Sequence, residues 1–316
     1  MEHLALIANP AASGFTASLF RDVVNVLSEK YSVTKVWPEG SSEARAAAGE
    51  AAAQGADIVV AMGGDGIAHQ VAGALVDTTA VLGIVPAGTV NVLARLLGLP
   101  LRPRQAALHI ASAPGHRSLT VARIEASGSA GTRSDVALFA AGIGFDAAVV
   151  ERAEREPFRK LRFGGLHYAR NAIATLISDY RHRPPFLHVE AEGRAVDAVT
   201  TFVQIHDRFT YFWRIPVRLS PDPGPAAVAI ERLNAITAVR FAAQAAWTGD
   251  LESIRGVTVW RPFRRLVVEA DPEAPFEADG ELLGSASRLE LSIAPRALRV
   301  VDPTTDVSAG RERPPA

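Results

Sequence analysis

The stretch Asp57-Ile58-Val59-Val60-Ala61-Met62-Gly63-Gly64-Asp65-Gly66-Ile67 constrains this chain more than any other. An apolar run of strand length breaks into a glycine turn carrying one carboxylate, and Ala68-His69-Gln70-Val71-Ala72 continues as a helix. A strand, a tight glycine turn and a helix in that order build a parallel sheet covered by helices. The glycines let the backbone approach a bound group closely, and the amides at the helix start attract anions. The loop therefore reads as a phosphate cradle. An acid inside such a cradle repels a bare phosphate, so Asp65 suits a metal ion or the orientation of a phosphoryl acceptor.

The same grammar runs through the first third of the chain. Strands are expected at 4–8, 32–36, 58–61 and 81–85, with helices at 18–29, 43–54 and 90–97. Two more glycine turns stand at strand ends: Asn9-Pro10-Ala11-Ala12-Ser13-Gly14, and Pro86-Ala87-Gly88-Thr89-Val90-Asn91, in which Thr89 and Asn91 are placed to donate hydrogen bonds to a phosphate or ribose. In an open parallel sheet ligands collect at the carboxyl ends of strands, where all three turns lie. No GxxxxGK[ST] occurs, which excludes a Walker A loop.

From about residue 119 strands follow one another, at 119–124, 136–141, 186–190, 199–205, 228–233, 257–260, 265–270 and 288–293, interrupted by one helix at 165–179. This predicts an α/β nucleotide-binding domain over 1–118 and a β-rich domain over 119–295. A last strand at 298–301 is expected to return to the first domain within 296–303, ahead of a disordered polar tail at 304–316.

Composition removes several classes. A formal net charge of -1 argues against a nucleic-acid binder working by bulk electrostatics, and the lack of cysteine excludes disulfides, zinc-thiolate sites and thiol nucleophiles. No apolar run reaches the roughly 18 residues of a membrane span, so the expectation is a cytoplasmic protein, soluble or peripheral at the membrane. Whether it forms a homodimer is left open.

Together with Ala141-Gly142-Ile143-Gly144-Phe145-Asp146-Ala147 and Asp279-Gly280-Glu281, these turns resemble the diacylglycerol kinase catalytic family, which includes bacterial lipid kinases and sphingosine kinases. The resemblance implies an N-terminal α/β domain of the NAD kinase/diacylglycerol kinase-like type, a C-terminal β-sandwich domain, and magnesium-dependent transfer of the ATP γ-phosphate to a lipid hydroxyl at a membrane surface. It assigns Gly63, Gly64, Asp65, Gly66, Gly88 and Thr89 to the ATP phosphates with Asn9 and Asn91 nearby, Asp65 to Mg2+, and Glu281 to the general base with Asp279 beside it. Ile67 stands where the family usually has threonine, and His69, just inside the helix after the loop, reads either as a contact to phosphate or acceptor or as a satisfied helix-start residue. Val92 and Thr120 occupy positions where acids are common, so Asp65 is left to bind magnesium with ATP oxygens and water.

The residues alone leave alternatives. Two carboxylates flanking a glycine can raise one another's pKa to a useful value, or Asp279-Gly280 can be an ordinary hairpin turn. Phe209-Thr210-Tyr211-Phe212-Trp213-Arg214 and the Arg- and aromatic-bearing segment 152–170 read either as a lipid headgroup interface or as a core strand and a solvated helix. An NAD kinase shares the Gly-Gly-Asp-Gly loop, and a lipid or nucleotide sensor without catalysis is the reading from another class.

Overall fold

The computed structural model describes residues 2–112, 115–154, 171–172, 174–212 and 215–302. The expected disordered tail, the basic cluster from 155 to 170, and Trp213 with Arg214 lie outside the described residues. The chain divides into two compact units: unit 1 is Met1–Leu119 with Ala297–Ala316, and unit 2 is Thr120–Arg296.

Unit 1 runs β1 (His3–Ala8), α1 (Ala17–Ser28), β2 (Ser32–Val36), α2 (Ser41–Ala53), β3 (Ile58–Gly63), α3 (Asp65–Leu75), β4 (Val81–Pro86), α4 (Val92–Leu97) and α5 (Pro103–Ala111). The strands pair in parallel in the order β2-β1-β3-β4, and Val300 of the returning chain pairs in parallel with Leu82. β1, β3 and β4 are buried almost end to end, as continuous apolar strands covered by helices on both faces must be. Helix α1 starts at Thr16, whose hydroxyl accepts from Leu19 N at 3.1 Å, and lays Phe20, Val23 and Leu27 on Leu4, Leu6 and Met62. Helix α5 was not expected; Pro103 at its start and buried Ala106, Ala107 and Ile110 account for it. The helix expected from residue 90 begins at Val92, because Asn91 takes the left-handed conformation with φ 54°.

The chain enters unit 2 through β5 (His116–Gly128), followed by β6 (Gly131–Ala137), β7 (Ala140–Gly144), α6 (Phe145–Glu154), β8 (Leu187–Ala191), β9 (Arg194–Ala198), β10 (Thr200–Gln204), β11 (Thr210–Phe212), β12 (Ile215–Val217), β13 (Ala226–Ile230), α7 (Ala235–Trp247), β14 (Val257–Trp260), β15 (Arg265–Ala278) and β16 (Glu281–Val301). Its strands are antiparallel in the order β14-β13-β10-β7-β15-β16. β15 is irregular between Glu269 and Ala274, so that its first half pairs β8 and its second half pairs β7. An α/β unit followed by a strand-rich one is the fold class the sequence implied. The single strand expected at 136–141 is instead two, broken at Leu138 and Phe139, whose amides are diverted to a side chain described below.

Helix α7 was also not expected. Asn234 caps it, accepting from Thr237 N at 3.0 Å, and Phe241 stacks on Phe202 with ring centres 5.1 Å apart. Its other face turns Ile236, Val239 and Trp247 outward, at 74%, 69% and 89% exposure. With apolar residues on both faces, the sequence shows no single helical stripe. Among the described residues no helix is long and apolar enough to cross a membrane.

Candidate active site

In unit 1 the turns after β1, β3 and β4 meet at the carboxyl ends of the three strands and are tied to one another. Asn9 N donates to Met62 O at 2.9 Å, Gly14 N to Ala87 O at 2.9 Å and Ala87 N to Gly63 O at 2.7 Å, while the Ser13 and Thr89 hydroxyls lie 3.1 Å apart. At the centre Gly64 and Gly88 touch: a Cβ on Gly88 would lie 2.5 Å from Gly64 Cα and 2.8 Å from Asn91 Oδ1. Any side chain there would force the turns apart. Helix α3 begins at Gly64 with no side-chain cap, leaving its first amides beside a glycine cradle, as an anion site requires.

The expected ligand residues divide on inspection. Gly64, Asp65, Gly66 and Gly88 are half-buried and Thr89 is exposed at the cradle, whereas Gly63 is buried, with Ile67 and Asn9 packed where its Cβ would stand. Ile67 is itself 8% exposed, an apolar filler rather than a phosphate contact. His69 is fully buried within α3, which withdraws its ring from a phosphate at the turn. Asn9 Oδ1 accepts from Ala11 N at 2.9 Å. Asn91 exchanges two hydrogen bonds with Gly88, accepting from its N–H at 3.0 Å and donating to its carbonyl at 2.9 Å. Both asparagines therefore shape their turns, and Asn91 keeps a second amide hydrogen besides the one given to Gly88. Val92, at a position where an acid was looked for, is buried, and Thr120 is half-buried.

Asp65 does something the sequence did not show. Its two carboxylate oxygens accept from Val92 N at 3.0 Å and Leu93 N at 3.1 Å, so it caps the start of α4 from another helix. Each oxygen keeps lone-pair capacity for a metal, since a carboxylate offers about four acceptor positions. Asp65→Ala is expected to cost about 1–2 kcal/mol of stability in a denaturant titration, as the loss of a helix cap does, and Asp65→Asn less because one oxygen still accepts.

In unit 2 the Asp279-Gly280-Glu281 turn joins β15 to β16. Asp279 is 4% exposed and left-handed at φ 55°. Its carboxylate accepts from Leu138 N at 2.8 Å, Phe139 N at 2.9 Å and Ala140 N at 3.1 Å, and its own N–H donates to Ala140 O at 3.0 Å. Expected beside the base, Asp279 is instead the anchor of the turn between β6 and β7. Glu281 is half-buried at the head of β16.

The carboxyls that perturb each other are a pair that sequence reading missed. Glu277, 2% exposed on β15, lies opposite Gly142 of β7, and Asp146 in the first turn of α6 hydrogen-bonds it. Burial pushes Asp146 up to about 7, and burial with the neighbouring Asp146 charge holds Glu277 well above the usual carboxylate range. In sequence Glu277 looks like the outward residue of an alternating strand, and only Asp146 fell within a recognised motif.

An open concavity of about 550 Å³ on unit 2 is lined by His188, Asp197, Glu269 and Arg288 but by none of the motif residues. Within it His188 pairs with Asp197 and Arg288 with Glu269, each at 2.8 Å.

Comparison with known proteins agrees with the motifs. Residues 3–124 match the family described as the diacylglycerol kinase catalytic domain. A protein named "Probable lipid kinase YegS-like" from Stenotrophomonas maltophilia is 32% identical over 150 residues, 46% of this chain and 46% of that one. A diacylglycerol kinase of Mycobacterium tuberculosis is 35% identical over 123 residues, 38% of this chain and 39% of that one. The chain thus spans about half the length, or less, of these curated relatives. The solved structure of a diacylglycerol kinase from Bacillus anthracis shares the fold at TM-score 0.68 and 15% identity, covering 95% of this chain and 97% of that one. An NAD kinase from Archaeoglobus fulgidus, solved with ATP, is further off at TM-score 0.52 and 11% identity, covering 96% and 94%. The glycine cradle lies within residues 3–124, the part of the chain that matches the diacylglycerol kinase catalytic domain.

Proposed function

We propose that this protein is an ATP-dependent lipid kinase that transfers the γ-phosphate to the hydroxyl of a lipid such as diacylglycerol or a sphingoid base. The observation that carries the reading is the cradle: three tied turns with Gly64 against Gly88 and an uncapped α3 start, within the residues that match the diacylglycerol kinase catalytic domain. The amides of α3 and the Thr89 hydroxyl would hold the phosphates, and Glu281 would take the proton from the lipid hydroxyl. Among the described residues no three His, Asp or Glu side chains gather as a metal site. One carboxylate with phosphate oxygens and water is a donor set that magnesium accepts, so the fit is to an ion arriving with the nucleotide, held at Asp65. Magnesium there would neutralise phosphate charge in the transfer.

The lipid would be met at a membrane surface through α7. The helix carries no acid and one arginine, Arg240, and ends in the exposed Trp247, a residue type that favours the headgroup level. Strand β12, packed beside it, adds Ile215 at 51% exposure. Four large side chains fall short of the roughly 800 Å² per partner of a stable protein interface, which favours a lipid surface over a second copy. Replacing Ile236 and Val239 with glutamate is expected to reduce sedimentation with phosphatidylglycerol vesicles several-fold while leaving the melting temperature nearly unchanged.

The test of the function is transfer of label from γ-labelled ATP, with magnesium, into mixed micelles of diacylglycerol, sphingosine, ceramide or monoacylglycerol, with NAD as a parallel acceptor. Label in one lipid supports the reading. Label in NAD alone overturns it, and nucleotide binding without any transfer would make the protein a sensor.

A further inference from the structure

Glu277 has no task in the reading above, yet it is built into the turn that carries Glu281. Its Oε2 accepts from Gly280 N at 2.8 Å, at the centre of Asp279-Gly280-Glu281. Its Oε1 is buried and has no donor among the described residues. That oxygen and Asp146 Oδ2 converge over Gly142, where a Cβ would stand 2.8 Å from the first and 2.3 Å from the second. Gly142 is thus the gap that admits both carboxyls. Two ionised carboxylates so close would repel, and Oε1 would face an anion with nothing to satisfy it. One proton between them removes both difficulties, with the Glu277 hydroxyl donating to the Asp146 carboxylate.

No described cation relieves the pair. β7 and β10 carry no titratable residue. On α6, Arg152 is engaged at the surface by Ser178 and Asp179, and Glu151 adds only negative charge. From the turn come Asp279, whose charge is held by three amides and pushes Glu277 further up, and Glu281, paired opposite Ala278. The raised proton affinity of both members agrees with this geometry.

We propose that buried Glu277 and half-buried Asp146 share one proton, and that through the bond Glu277 accepts from Gly280 N–H this pair sets the position of the Asp279-Gly280-Glu281 turn. Glu277 is then a positioning residue, and its effect on turnover rests on the reading of Glu281 as base. Losing the proton puts two charges over Gly142, and their repulsion pushes Glu277 off Gly280 against the stronger bond that an ionised carboxylate would otherwise accept from that N–H.

Glu277→Gln tests this without emptying the site: the amide oxygen can accept from Gly280 and the amide nitrogen can donate to Asp146, a permanent copy of the protonated form. The native pair binds its proton more tightly than the unfolded chain does. Wild-type stability is therefore expected to fall as pH rises above the ordinary carboxylate range, near 4, and to go on falling past about 7 until Glu277 has given up its proton. Glu277→Gln, and Asp146→Asn as a second variant, should flatten that slope. Exchange of the Gly280 amide should be faster in wild type than in Glu277→Gln above the titration and equal below it, and the alkaline limb of lipid kinase activity should move upward in the variant. An unchanged melting slope in both variants overturns the shared proton. A flattened slope with identical Gly280 exchange at every pH overturns the positioning role. Because the slope and the exchange do not depend on turnover, a wild-type protein inactive on every lipid would refute the kinase reading alone.

Discussion

Asp279→Ala is expected to destabilise unit 2 by about 4 kcal/mol, the largest stability effect of any single substitution considered, because it removes a buried charged acceptor and orphans three amides at once. Each of Leu138, Phe139 and Ala140 donates to this carboxylate and would lose that acceptor. Alanine would also have to hold φ near 55°, which costs about 1–2 kcal/mol for a residue with no local polar compensation. Against a total of roughly 5–15 kcal/mol for a domain, such a loss leaves little margin. Asp279→Asn keeps one acceptor oxygen and tolerates the left-handed backbone, so its cost should be about half. Urea titrations of the two variants check this. If Asp279→Ala proves as stable as wild type, the carboxylate is not the anchor of the turn.

Glu281→Gln is expected to lower lipid turnover by roughly 10²–10⁴-fold, the usual contribution of a positioned general base, while the dissociation constant for ATP stays within about twofold. The separation follows from the roles proposed: the glycine cradle holds the nucleotide, and Glu281 takes the proton of the lipid hydroxyl. Glutamine matches the shape but cannot accept a proton, so the loss should fall on kcat rather than on KM for ATP. Single-turnover rates beside ATP titrations check both halves. Equal turnover in wild type and variant would remove Glu281 from the proton transfer, and a parallel loss of ATP affinity would assign it to nucleotide binding instead. Asp65→Ala is a poorer probe of chemistry, because the capping bonds to Val92 and Leu93 disappear together with any metal contact.

What the sequence disclosed was local. The strand, glycine turn and helix around Gly64 are contiguous, and each turn shows its conformation in its own residues, so the α/β unit and its cradle were legible, as was the change to successive strands afterwards. What stayed hidden depends on partners far along the chain. Nothing near Leu138 shows that a strand must break there, because the acceptor of its amide lies 141 residues away. Asp65 reads as a ligand until the start of α4 is found resting on it. His69 occupies a helix start like that of many phosphate contacts, and only the packed fold shows that it faces inward. Glu277 alternates with Phe276 and Ala278 as a solvent-facing strand residue would, and its burial follows from α6 folding over β7 and β15.

The long reach from Leu138 to Asp279 also sets an order of assembly. Contacts of such sequence separation close a large loop and form late in folding, after local elements have condensed. A chain emerging from its N-terminus completes the turns after β1, β3 and β4 by residue 97, while the Leu138, Phe139 and Ala140 amides wait for an acceptor not yet synthesised. A nascent chain can therefore build its anion cradle well before it can build the Glu281 turn.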